Sequence, residues 1–188
     1  MHSLVSSKNN SELLQISSED ENSREPIWKW SVEEKYENAL SYKEKGIQFF
    51  NSERYVDAFQ MFSKACKILI TLEPISSSDT QMKDICELRL KLYNNMAECH
   101  LRRKNYEHVI TLCSKVLLKS PNNVKALYRR GIAYGNLKDF EKAVNDLKIV
   151  IALEPRNLKA QEHYKDFSDK LRKSIEGYES IVRKMFKV

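Results

Sequence analysis

The sequence predicts an all-α chain made of one helix-turn-helix unit used three times and closed by a longer helix. Three observations predict it. Glycine and proline are scarce, four of each in 188 residues, so little interrupts helix formation. Apolar residues recur at helical spacing along the body of the chain. The chain also resembles itself at a distance of 34 residues: Ala97 pairs with Gly131, Tyr106 with Phe140, and Pro121 with Pro155. Within each unit a small residue is followed nine places on by an aromatic and 24 places on by a proline, the order expected for helix, short turn, helix and stop.

Taken in order, residues 1–27 are rich in Ser, Glu and Asn, lack the apolar core of a signal peptide, and are expected to be disordered. The repeat region is expected to span 28–157. Its first unit covers about 39–72, with Gly46 at the small position, Tyr55 at the aromatic, and Ala58, Phe62 and Ala65 on the inner face of the second helix. Gly46 and Ala97 are 51 apart, so 17 residues are inserted after that unit. The insertion is placed as a lengthened second helix, a loop at 74–79 and a backward extension of the next helix through Met82–Leu88. Units two and three cover about 90–123 and 124–157. In unit three Ala143, Leu147 and Val150 match Ala58, Phe62 and Ala65. Gly131 is small because two helices approach there, which offsets its cost of about 1 kcal/mol relative to Ala. Residues 158–188 read as a long capping helix with Leu158, Tyr164, Phe167, Leu171, Ile175 and Tyr178 in one apolar stripe.

The spacing, with G-I-x-F-F, Y-x-x-A-F-x-x-F-x-x-A, G-I-A-Y and F-x-x-A ending in E-P, resembles the tetratricopeptide repeat. That resemblance implies a right-handed α-solenoid whose concave wall is formed by the first helix of each pair. The stretch W-K-W-S-V-E-E-K-Y-E-N-A-L-S-Y-K-E-K-G, with Trp28 fifteen residues before Lys43, is similar to the junction between isomerase and repeats in FKBP-type immunophilins. The insertion, the ending Lys184-Met185-Phe186, and K-A-L-Y-R-R-G-I-A-Y-G-N-L-K-D-F-E-K-A-V-N-D-L-K are similar to the same family, most of all to its FKBP-like branch. Only 27 polar residues precede Trp28, too few for the Gly-rich isomerase domain, so a non-enzymatic chain is expected.

The resemblance also implies a binding site. Lys43, Asn95, Lys125 and Arg129 match the carboxylate clamp of co-chaperone repeat domains, which takes the C-terminal Glu-Glu-Val-Asp of heat shock protein 90 or heat shock protein 70. Lys125 and Arg129 are four apart and share one helix face, whereas Arg130, about 100° further round, points elsewhere. Ile47 stands where such a clamp has a second asparagine. Glu98, one turn from Asn95, adds an acidic neighbour to the groove. The expected function is thus a co-chaperone adaptor, with a general protein-binding scaffold as the alternative.

Other readings are weaker. The net charge of +6 is uneven, −3 over residues 1–27 and +9 beyond, and a basic body could attract nucleic acid, an anionic membrane or an acidic peptide. Tyr55, Tyr106 and Phe140 occupy packing positions and are not free to stack bases, so no nucleic acid is expected. No run approaches the roughly 18 apolar residues of a membrane span, and no membrane partner is expected. Cys66, Cys86, Cys99 and Cys113 show no metal-ligand spacing and read as reduced thiols, and no cofactor is expected. His100, His108 and His163 lie on helices without a catalytic partner. The last helix, with Leu171, Ile175, Tyr178, Val182 and Met185 on one side amid lysines and arginines, looks like a calmodulin-type target. A cytoplasmic location is expected, with the nucleus also open to the chain.

Overall fold

The computed structural model describes residues 26–72 and 79–186. The expectation of disorder at 1–25 and that of a loop at 74–78 lie outside the described residues, whereas Asp79, assigned from sequence to the same loop, already opens a helix. Those described form seven α-helices and no strand: α1 (Val32–Asn51), α2 (Tyr55–Ile70), α3 (Asp79–Arg102), α4 (Tyr106–Lys119), α5 (Val124–Asn136), α6 (Phe140–Leu153) and α7 (Leu158–Phe186). A short 3-10 turn at Ile27–Lys29 precedes them. Pro26 and Ile27, assigned from sequence to the disordered segment, therefore belong to a defined turn, closed by Lys29 N–H donating to the Pro26 carbonyl at 2.8 Å.

Local chemistry sets the helix boundaries. α1 starts at a capping box: the Glu34 amide donates to Ser31 Oγ at 3.1 Å, and the Ser31 amide donates to the Glu34 carboxylate at 2.7 Å. Asn123 caps α5 by accepting from the Ala126 amide at 3.1 Å, and Asn157 does the same for Ala160 at the start of α7. The first helix of every pair ends in the same way. Glu53, Lys104 and Lys138 take left-handed φ values of 59°, 59° and 65°. The next amide in each case (Arg54, Asn105, Asp139) donates back to Phe49, His100 or Tyr134 at 2.9–3.0 Å. This is a Schellman ending with a charged side chain where glycine is usual. Its recurrence at equivalent positions confirms the repeat frame independently of the apolar pattern.

Each helix packs on the next, and α1, α3 and α5 also touch in succession, so the first helices form one wall. The second helices supply the core: Ala58, Phe62 and Ala65 in unit one, Val109, Cys113 and Val116 in unit two, and Ala143, Leu147 and Val150 in unit three are all buried. The small positions are tight. A Cβ on Gly46 would sit 2.5 Å from the Phe62 ring, and one on Gly131 would sit 3.1 Å from Leu147 Cγ and 3.3 Å from the Ala143 carbonyl oxygen. Gly131→Leu should therefore crowd α5 against α6 and lower the unfolding free energy by about 1–3 kcal/mol; an unchanged thermal midpoint would contradict this packing.

α7 is the longest helix, but it caps less than its apolar stripe suggests. Ala160 and Phe167 are buried and Tyr164 packs beside them. Leu158, Ile175 and Tyr178, assigned from sequence to the covering stripe, are 74%, 51% and 70% exposed. The bundle ends before the helix does, because only the first half of α7 reaches α5 and α6. The distal half, on which the calmodulin-type reading rests, leaves Ile181, Met185 and Phe186 in solvent.

Cys66, Cys99 and Cys113 are buried, and burial pushes the thiols of Cys99 and Cys113 up to about 12, so both stay protonated and unreactive. His100 is buried, stacked on His108 with ring centres 4.8 Å apart, and burial lowers its affinity for a proton. Among the described residues no cluster of His, Cys, Asp and Glu could hold a metal ion, and no helix is long and apolar enough to cross a membrane.

Candidate functional site

The groove is built where α5 faces α3. Arg129 reaches across: its Nε donates to Glu98 at 2.6 Å and its Nη1 donates to the Asn94 side-chain oxygen at 3.2 Å. Glu98 also accepts from Arg102 at 2.9 Å. The Arg129 and Glu98 side chains are only 15% and 20% exposed, so this is a largely desolvated pair. Burial pushes the Glu98 carboxyl up, but the hydrogen bonds and charges of Arg129 and Arg102 more than reverse that and hold it below its ordinary value.

Asn94 fastens the same junction from the other side. It is buried and donates to the Asn123 side-chain oxygen at 3.3 Å, the atom that also caps α5. Glu98 and Asn94 are four apart on α3 and lie on one face. The expected clamp members are only partly assembled. Arg129 is engaged by Glu98 and Asn94, whereas Asn95, the expected donor, is half-buried and shows no contact with it. The amide that meets Arg129 is Asn94, next to Asn95 in the chain, and Asn95 is expected to serve a ligand carboxylate, not Arg129. Lys43 on α1 pairs with its neighbour Glu44 at 2.9 Å. Lys125 is exposed on α5, and Ile47 is half-buried.

Arg130 does point elsewhere. Its guanidinium grips Asp146 on α6 through two hydrogen bonds of 2.8 and 2.9 Å and donates to Ser114 on α4 at 3.2 Å. The two adjacent arginines therefore divide the work: one faces the groove and the other ties three helices together. The sequence reading missed Asn94 and Asp146. The available signal for Asn94 was its four-residue spacing to Glu98; nothing local marked Asp146.

Two family models cover most of the helical body. One described as "Bride of doubletime-like, TPR domain" matches residues 31–111, and one described as "Tetratricopeptide repeat" matches 124–157. The chain is a tetratricopeptide-repeat domain. This repeat domain is homologous to the repeat regions of FK506-binding immunophilins: it is 32% identical over 159 residues to FK506-binding protein 59 of Drosophila melanogaster, covering 85% of this chain and 35% of that protein. It spans between 34% and 43% of the length of the curated relatives it matches first. Among solved structures, the C-terminal TPR-containing domain of a Plasmodium falciparum FK506-binding protein superposes with a TM-score of 0.74 at 29% identity, covering 80% of this chain and 99% of that one. The first TPR of Spaghetti (RPAP3), bound to the HSP90 peptide SRMEEVD, superposes with a TM-score of 0.60 at 26% identity, covering 73% and 95%. The repeat domain thus resembles co-chaperone domains that bind heat shock protein peptides. Its family-model and structural matches fall on repeat domains.

Proposed function

We propose that this repeat domain is a non-catalytic co-chaperone adaptor that takes the acidic C-terminal peptide of heat shock protein 90, or that of heat shock protein 70, along the wall formed by α1, α3 and α5. The observation that carries the reading is Lys125. It lies one helical turn before Arg129, and Arg129 reaches α3, so both side chains belong to the groove side of α5. Lys125 is exposed, and no hydrogen bond or ion pair holds it among the described residues. An ammonium placed so, beside a guanidinium on the same wall, suits a terminal carboxylate. The likeness to a repeat domain bound to SRMEEVD supports the same ligand class.

Fluorescence anisotropy with labelled SRMEEVD tests this. Lys125→Ala should weaken binding by about ten- to a hundredfold, the loss of one charge-assisted contact of about 1.5–3 kcal/mol, while leaving the fold intact. Added salt should weaken the wild-type complex. Affinity that is indifferent to Lys125 would dispose of the clamp. A second reading, a groove that receives some other client without using carboxylate recognition, is favoured by the Glu98–Arg129 pair, which already satisfies the second cation. In that case free SRMEEVD would fail to displace the client.

A further inference from the structure

The groove contains its own carboxylate. Glu98 stands 51 residues after Ile47, at the equivalent place in the next repeat, so the wall replaces a neutral donor on α1 with an alkyl chain and carries an acid on α3. That acid does not point away from the cations as simple repulsion would require. It closes on Arg129 Nε at 2.6 Å and draws in Arg102 from the next turn of α3, while Asn94 holds Nη1. A guanidinium has five N–H donors. Glu98 and Asn94 occupy two of them, and Glu98, shared with Arg102, offsets part of the charge.

Building on the peptide-binding reading above, we propose that Glu98 is the specificity-determining residue of this groove: its carboxylate occupies Arg129 as an internal counterpart of a peptide carboxylate, so an acidic tail gains Arg129 only by displacing it. A ligand carboxylate entering next to an intact Glu98 would meet like charge in a partly desolvated site, and one that expels Glu98 must replace a short, part-buried contact with one of similar strength. Little net gain remains from Arg129. The wild-type groove then discriminates against ligands that rely on two cations, and Lys125 carries most of the attraction.

The test is a double-mutant cycle read by anisotropy with labelled SRMEEVD. Glu98→Gln keeps the shape of the side chain and removes its charge; it should tighten binding by about tenfold or more. Arg129→Ala should cost about tenfold or more in the Glu98→Gln background and less in the wild type, where it removes a cation the peptide does not use but leaves the Glu98 charge to Arg102 alone. Tightening of the Gln variant alone, with no measurable wild-type binding, would support the role of Glu98 and refute the proposed wild-type ligand. Wild-type binding that is unaltered by Glu98→Gln would overturn the role of Glu98 and leave the ligand standing. No binding by either protein would overturn both. A measurement without substitution guards against a misfolded variant: on saturating the wild type with peptide, the Arg129 Nε–H resonance should stay in place, because Glu98 keeps its hold while Lys125 takes the ligand. Peptide binding that shifts Arg129 in a wild type whose affinity Glu98→Gln leaves unaltered would refute the proposal.

Discussion

Arg130→Ala is expected to lower the unfolding free energy by about 3 kcal/mol, at the lower end of the range for breaking a buried pair. The carboxylate it would abandon, Asp146, is 5% exposed and takes both of its short contacts from that guanidinium. The Arg130 side chain keeps 23% exposure, which lets water recover part of the loss. Arg130→Lys should not rescue, since an ammonium cannot reproduce the two parallel hydrogen bonds. Replacing both partners with apolar residues, Arg130→Met with Asp146→Leu, should recover most of the stability because neither charge is then buried. Urea unfolding followed by circular dichroism reads all three. If Arg130→Ala leaves the midpoint unmoved, the two hydrogen bonds contribute nothing to the fold. Peptide affinity should be unaffected by any of these changes at temperatures where the variants stay folded, which separates Arg130 from its neighbour.

Gly135→Ala is expected to cost about 2–3 kcal/mol, the upper part of the usual overpacking range. A Cβ on Gly135 would overlap the Phe167 ring. That ring is 6% exposed and lies between Phe140, at 6.2 Å with the planes 30° apart, and His163, at 5.9 Å and 21°, so a ring that swings aside must repack against these neighbours. Alanine in an open helical position would instead gain about 1 kcal/mol over glycine, so any loss measures the clash. Gly177 supplies the control: nothing lies within 4 Å of a Cβ placed there, and Gly177→Ala should stabilise by about 0.5–1 kcal/mol. Because Phe167 is the main buried aromatic of α7, Gly135→Ala should also release the first half of that helix and open it to proteolysis. Trimming the ring with Phe167→Leu in the same chain should restore part of the loss. Equal thermal midpoints for the Gly135 and Gly177 variants would refute the close approach.

The helices were legible because what determines them is local. Ser31 and Glu34 are three apart, Asn123 precedes its helix, and the apolar positions that become Val109, Cys113 and Val116 recur 34 residues on as Ala143, Leu147 and Val150. A helix is closed by bonds between residues four apart, so its start, its inner face and its repetition are all written within a turn or two. The need for a small residue at Gly131 could be read for the same reason, since the repeat brings a known second-helix face against it.

Side-chain partners were a different matter. Arg129 and Glu98 are 31 residues apart, Arg130 and Asp146 16, and Gly135 and Phe167 32. Each contact depends on how far one helix slides and turns against another. The rotation of α3 decides that Asn94 reaches both Asn123 and Arg129, and the length of the bundle decides where α7 runs out of surface to cover. By itself the sequence determined the repeated helix pairs, the small positions between them and the basic face of α5. The tertiary structure alone decided that one arginine of the pair is held by a carboxylate inside the groove and the other by a carboxylate in the core, because the desolvation that makes these pairings matter exists only once the helices have packed.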